Sequence, residues 1–279
     1  MDDHLSRALD RVQANTKSVH SWNKPERGAN KRKRRERSIH ETLDRGTSIE
    51  LDAEILQRNH LLTTTVREDS LISDCYRLLR TRIWQTMKPR GWNKLGITSP
   101  SAKEGKSLTS ANLAIIASRD ASRKIVLIDA DMRRPSLFEN FGIEASAGLS
   151  DYLSGNADLE DVIYRPSMMP NLYILPTQVA SDKLMEESLG GQHIQQLLED
   201  LSSNDVMTIV DLPPALVADD VLSLSPYLDS LLIVVRDGQS NSKELKNTTD
   251  LLSEVNLLGT VLNDSEEAGR DTHGYYYAR

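Results

Sequence analysis

The residues best suited to chemistry lie in one run, Ser99-Pro100-Ser101-Ala102-Lys103-Glu104-Gly105-Lys106-Ser107. It follows an apolar stretch and precedes a helical one, and it closes on Gly-Lys-Ser, the end of a phosphate-binding loop. Gly105 lets the backbone approach phosphate closely, and successive amides with the helix N-terminus attract the anion. Lys106 supplies a point charge to the β- and γ-phosphates, and the Ser107 hydroxyl ligates Mg²⁺. The nucleotide-binding set is therefore Ala102, Lys103, Glu104, Gly105, Lys106, Ser107 and Leu108. Pro100 occupies the position of the usual first glycine, so the flanking strand and helix carry the reading.

Two acidic stretches complete the pattern. Ile125–Ile128 runs into Asp129-Ala130-Asp131-Met132-Arg133-Arg134-Pro135, and Val206–Val210 runs into Asp211-Leu212-Pro213-Pro214. Ligands of parallel α/β sheets sit at the carboxyl ends of strands, so these acids should face the loop. Asp129 and Asp131 have the chemistry to orient or deprotonate a nucleophile. Asp211 reads as the acid that holds Mg²⁺ through water. The plainer alternatives are a helix cap with an Arg133 salt bridge for the first pair, and a turn cap for Asp211.

These groups need a scaffold, and the apolar pattern predicts one. Lys94–Thr98, Lys124–Ala130, Asn171–Leu175, Val206–Asp211, Ser230–Val235 and Leu258–Leu262 read as strands. Ser107–Ser118, Ser188–Ser202, Asp219–Ser225 and Ser242–Val255 read as helices between them, preceded by a long helix over Asp69–Met87. Such alternation predicts a doubly wound α/β fold with a mainly parallel sheet.

The chain has 279 residues, 38% hydrophobic and 27% charged, with net charge −7. That acidity argues against nucleic acid as a partner. The charge is uneven: Lys24–Arg37 holds eight Lys or Arg against two acids, so it carries +6 and the remainder −13. This stretch reads as a solvated linker, either a grip for anionic lipid headgroups or a solubilising spacer. Before it, Leu5, Ala8, Leu9 and Val12 recur at helical spacing. The predicted division is an amphipathic helix over 1–22, a basic disordered linker over 23–48, a catalytic domain over 49–264 and a flexible tail over 265–279. A single cysteine, Cys75, leaves no intrachain disulfide and fits a reducing compartment. With no apolar run long enough to span a bilayer, the expected location is cytoplasmic.

The loop Glu104-Gly105-Lys106-Ser107, the run Asp129–Ser136 and Asp211-Leu212-Pro213-Pro214 together resemble the bacterial protein-tyrosine kinases of polysaccharide synthesis. Gly148-Leu149-Ser150-Asp151-Tyr152-Leu153 and Gly259-Thr260-Val261-Leu262-Asn263 extend the resemblance from about Asp69 to the C-terminus. It implies a deviant Walker P-loop fold like that of the partitioning and division-site ATPases, with ATP and Mg²⁺ as cofactors. It also implies γ-phosphoryl transfer to tyrosine. Lys106, Asp129, Asp131 and Arg133 are then the catalytic set, Ser107 and Asp211 the metal set, and Asn263 an adenine contact. Arg133 either stabilises developing charge or positions Asp129.

By the same resemblance Tyr275, Tyr276 and Tyr277 are autophosphorylation targets presented to a neighbouring subunit; the plainer reading folds them onto the domain. Asp74, Arg77 and Arg80 match the family's oligomerisation motif with Asp for Glu, and a solvated helix face is the alternative. Lys103 stands where relatives usually have glycine. The implied partners are a homo-oligomeric ring, possibly an octamer, a separate transmembrane co-polymerase-type activator and a tyrosine phosphatase. The implied location is the inner face of the plasma membrane. Two alternatives stand beside this: a partitioning or positioning ATPase, which would need a lysine where Ser101 lies, and a non-catalytic nucleotide-binding regulator.

Overall fold

A computed structural model describes residues 38–63, 71–144, 147–179, 192–202 and 205–265. The chain opens with α1 (Ile39–Arg45), β1 (Thr47–Ile49), α2 (Ala53–Arg58) and α3 (Leu71–Met87). β2 (Lys94–Thr98), α4 (Lys106–Ser118), β3 (Lys124–Asp129) and α5 (Leu137–Phe141) follow. Next come α6 (Leu149–Leu153), α7 (Leu159–Val162), β4 (Tyr164–Pro166), β5 (Leu172–Leu175) and α8 (Gln192–Asp200). The last elements are β6 (Val206–Asp211), α9 (Asp220–Leu224), β7 (Ser230–Arg236), α10 (Ser242–Leu251) and β8 (Leu257–Asn263).

One sheet orders its strands β1-β4-β5-β3-β6-β2-β7-β8. Every pairing is parallel except β4 with β5. β3 and β6 are buried along nearly their whole length because helices cover both faces. Val126, Ile128, Val210 and Ile233 face one apolar layer with Leu197 and Leu224. Ile125, Leu127, Ile209 and Leu232 face the other, with Ile115 of α4 and Ile83 of α3. Continuous apolar strands of this kind belong to a sheet covered on both sides. Gly96 sits where the layers close most tightly, since a Cβ there would lie 2.4 Å from Leu231 Cδ2.

The expected α/β architecture stands, with two adjustments at the N-terminal edge. The stretch 23–48 was expected to be a disordered linker, yet α1 and the start of β1 fall inside it. Ser38 Oγ accepts from Glu41 N at 3.3 Å and caps α1, while Leu43 is fully buried. β1 then pairs with β4 in the register Thr47 with Tyr164, so the ordered domain begins before residue 49. Asp44 fixes this edge by accepting from Lys124 Nζ and, at 2.8 Å, from the Tyr173 hydroxyl. The helix at 1–22, the basic run at 24–37 and the tyrosine tail lie outside the described residues. Among the described residues, no helix is long and apolar enough to cross a membrane.

Candidate active site

β2, β6 and β3 lie side by side, and the carboxyl ends of these three strands deliver the phosphate loop, Asp211 and the Asp129–Asp131 pair to one place. Asp129 and Asp211 are direct register partners on β3 and β6. Gly105 opens α4 at φ 91°, a left-handed conformation that glycine adopts without strain. Lys103 also takes positive φ, 68°, at the position where glycine is usual in the family it resembles.

The loop is braced from behind. Glu104 is almost fully buried; one carboxylate oxygen accepts from Ser101 N at 2.8 Å and the other from the Ser240 hydroxyl. Gln239 Nε2 donates to Ala102 O at 3.1 Å, and Asn263 Nδ2 to Glu104 O at 3.0 Å. A Cβ on Gly105 would lie 2.0 Å from that Asn263 nitrogen. The side-chain amide of Asn263, the expected adenine contact, thus holds the loop by the Glu104 carbonyl. Leu108 is half-buried, with its side chain packed against the apolar layer under the loop.

Lys106 is the electrostatic centre. Its Nζ lies 2.8 Å from Asp131 Oδ2, 3.8 Å from Asp211 Oδ2 and 3.2 Å from Ser107 Oγ. Burial alone would lower the Lys106 pKa, but Asp211 and Asp131 together raise it. Asp211 is wholly buried; Oδ1 accepts from Ser110 Oγ at 3.1 Å, and Oδ2 has no hydrogen-bond partner. Burial raises the pKa of Asp211, with Lys106 pulling the other way. An orphaned buried carboxylate oxygen beside a loop serine suits a cation or its water. Among the described residues no group of three or more His, Cys, Asp or Glu forms a protein-only metal cage. The donor set fits Mg²⁺, which keeps water and phosphate ligands beside one or two protein groups. Ser107 and Asp211 would hold it.

Asp129 plays a different part from Asp131. Its Oδ1 accepts from Asp131 N at 3.1 Å, and its Oδ2 from Ser136 N and Leu137 N at 3.0 and 3.1 Å. Burial, followed by the nearby Asp211 charge, pushes its pKa up to about 7. Asp131 instead lines a cavity of about 800 Å³, together with Lys106, Ser107, Arg133, Arg134, Pro213, Pro214 and Val217. Arg133 Nε donates to Asp220 Oδ2 at 3.2 Å, which ties it to the start of α9. Ser110, Arg134, Asp220, Gln239 and Ser240 were not singled out from sequence, and Glu104 was expected as a member of the nucleotide loop but not as its buried brace. Arg134 alone carried a visible signal, its place directly after Asp131-Met132-Arg133.

On α3 the Asp74–Arg77 pair closes within the helix, and Arg80 Nη1 donates to Ile116 O at 3.3 Å. Leu71, Ile72 and Leu78 of the same helix are 40–58% exposed.

Fold and site together define a P-loop nucleotide-binding protein of the deviant Walker class. The septum site-determining protein MinD of Pyrococcus horikoshii shares the fold at TM-score 0.51, with 24% identity over 63% of this chain and 75% of that one. The kinase domain of the Escherichia coli tyrosine kinase ETK is nearer, at TM-score 0.64 and 27% identity over 78% of this chain and 88% of that one. No protein-family model matches the chain. In sequence the chain is 32% identical over 222 residues to the putative tyrosine-protein kinase EpsB of Ralstonia solanacearum. It is 29% identical over 234 residues to the tyrosine-protein kinase YwqD of Bacillus subtilis. These matches take in 78% and 79% of this chain, but 29% of EpsB and 92% of YwqD. The chain therefore spans less than a third of the EpsB length. The resemblance to bacterial tyrosine kinases that its motifs carry is borne out.

Proposed function

We propose that the chain is an ATP-dependent protein-tyrosine kinase that phosphorylates Tyr275, Tyr276 and Tyr277 of a neighbouring copy and thereby regulates polysaccharide synthesis and export. The observation that carries this reading is the Lys106–Asp131 pair set at the wall of an open cavity. A triphosphate in the loop draws Lys106 toward its oxygens, which frees Asp131 at the cavity wall. Asp131 then accepts the phenolic proton as the tyrosine oxygen attacks the γ-phosphorus. Mg²⁺ on Ser107 and Asp211 supplies charge neutralisation to the phosphates when bound. Asp129 holds the Asp131–Leu137 turn through three backbone amides, a positioning role.

The rest of the reading draws on the family resemblance. Exposed Leu71, Ile72 and Leu78 beside Asp74, Arg77 and Arg80 support α3 as the contact of a homo-oligomeric ring. A separate membrane co-polymerase-type activator would hold the chain at the inner face of the plasma membrane, and a tyrosine phosphatase would reverse the modification.

Mass spectrometry of the C-terminal peptide after incubation with Mg²⁺-ATP, with and without a membrane activator, tests the proposal. Phosphate on Tyr275–Tyr277 that is missing in Lys106→Met is the expected result. ATP hydrolysis with a bare tail, even with the activator, would replace it by a partitioning-type ATPase.

A further inference from the structure

The cavity beside Lys106 and Asp131 has one charged wall and one apolar wall. Pro213, Pro214 and Val217, on the loop after β6, form the apolar side, and Val179 stands at the mouth after β5. Val217 is 67% exposed and Val179 73%. Aliphatic side chains left in water around a charged site mark a surface built to receive an apolar group.

The wall is held rigidly against the phosphate loop. Ala215 N donates to Ser99 O at 2.8 Å, Leu216 N to Pro100 O at 3.3 Å, and Thr98 Oγ1 to Pro213 O at 2.7 Å. Val217 N and Ala218 N both donate to Pro214 O, at 3.1 and 3.2 Å, closing a tight turn. Val217 is thus presented on a fixed backbone.

Sheet order separates the wall from the loop's bracing side. The lining residues follow β2, β3, β5 and β6, and none comes from β7 or β8. The residues that brace the loop from behind, Gln239, Ser240 and Asn263, come from the β7–β8 side. The cavity therefore opens beyond the phosphate end of the loop, on the side where Asp131 stands.

We propose that Pro213, Pro214 and Val217 seat the ring of the acceptor tyrosine and set its hydroxyl against Asp131. This rests on the kinase reading and adds its acceptor subsite. A ring covers Val217 and displaces water from the prolines, whereas serine or threonine leaves the wall wet, so the wall favours tyrosine. In the transfer, the bond from the tyrosine oxygen to the γ-phosphorus forms and the bond from that phosphorus to the β,γ-bridging oxygen breaks. ADP departs and the phenolic proton passes to Asp131.

The test compares the wild-type chain with Val217→Asp and Val217→Ile. Val217 is mostly exposed, so neither change disturbs the core. Each protein is assayed for phosphorylation of a peptide ending Gly-Tyr-Tyr-Tyr-Ala-Arg and, by calorimetry, for Mg²⁺-ADP affinity. Val217→Asp should raise the peptide KM about tenfold or more while ADP affinity stays within about twofold, and Val217→Ile should keep the wild-type KM. An unchanged peptide KM in Val217→Asp would overturn the subsite and leave the kinase reading standing. A parallel loss of ADP affinity would also overturn it, assigning the wall to the nucleotide. A wild type that never phosphorylates the peptide, even with the membrane activator added, would overturn the kinase reading and the subsite together.

Discussion

The ammonium of Lys106 sits 2.8 Å from one oxygen of Asp131, and both side chains are at least nine-tenths buried. Asp211 lies on the far side of the same ammonium at 3.8 Å, and Asp129 is its strand partner. One lysine thus answers a whole acidic strand edge, which gives it a structural duty besides its duty to phosphate.

Lys106→Met should therefore unfold more easily as well as lose activity. Removing one member of a buried pair costs about 3–5 kcal/mol, because the remaining charge is stranded. The loss should be larger at pH 8 than at pH 5.5, because burial raises the pKa of Asp211 and lifts that of Asp129 to about 7, and a protonated carboxyl needs no partner. Thermal melts at the two pH values check this.

The Asp129–Asp211 pair makes stability depend on pH. Burial and Asp211 raise the Asp129 pKa from 3.8 to about 7, so the folded chain holds a proton that the unfolded chain has released. The stabilisation from this group is complete below the unfolded value and is lost as pH rises through about 7. The melting temperature should fall between pH 5 and pH 8 by the equivalent of a few kcal/mol. Asp211→Asn removes the repelling charge and should flatten that slope, while weakening Mg²⁺-dependent nucleotide binding about tenfold or more. Melts across the range, with and without Mg²⁺-ADP, measure both effects.

Gly105→Ala places a Cβ 2.0 Å from Asn263 Nδ2 and forces alanine to φ 91°. The backbone term alone costs roughly 1–2 kcal/mol. Adding Asn263→Ala should relieve the overlap and recover part of the stability, but not the conformational strain. Calorimetry of ADP binding should find the single variant weakest and the double variant intermediate.

Arg133→Ala leaves Asp220 without the guanidinium at 3.2 Å. Burial raises the Asp220 pKa and Arg133 opposes that rise. Arg133 is partly exposed, so water softens the change and the cost should be about 1 kcal/mol at pH 8. At a pH acid enough to protonate Asp220, whose pKa burial raises, the carboxyl needs no partner and the difference should shrink. Paired urea titrations at the two pH values read it.

The central strands were legible because each is a continuous apolar run that ends in its own functional acid or loop. Lys94–Thr98 and Val206–Asp211 have the bounds that the sequence predicts. The N-terminal edge was not legible. Thr47-Ser48-Ile49 is too short and too polar to show a period, and α1 buries a single leucine. Its one readable sign was Ser38 three residues before Glu41, a helix-capping spacing. The brace behind the loop was hidden for another reason: Glu104 and Ser240 are 136 residues apart, and nothing in their own neighbourhoods marks the contact. The different duties of Asp129 and Asp131 were hidden as well, since amides of the following turn decide them.

β1 and β8 are the two outer edges of an eight-stranded sheet. The described residues begin at Ser38, just before the helix that leads into β1, and end at Ser265, just past β8. Seven inter-strand spacings of about 4.8 Å set these two edge strands roughly 34 Å apart. The domain is in this sense a spacer with two poles. A segment that precedes Ser38 and one that follows Ser265 are therefore rooted beside opposite edge strands, with the width of the sheet between them.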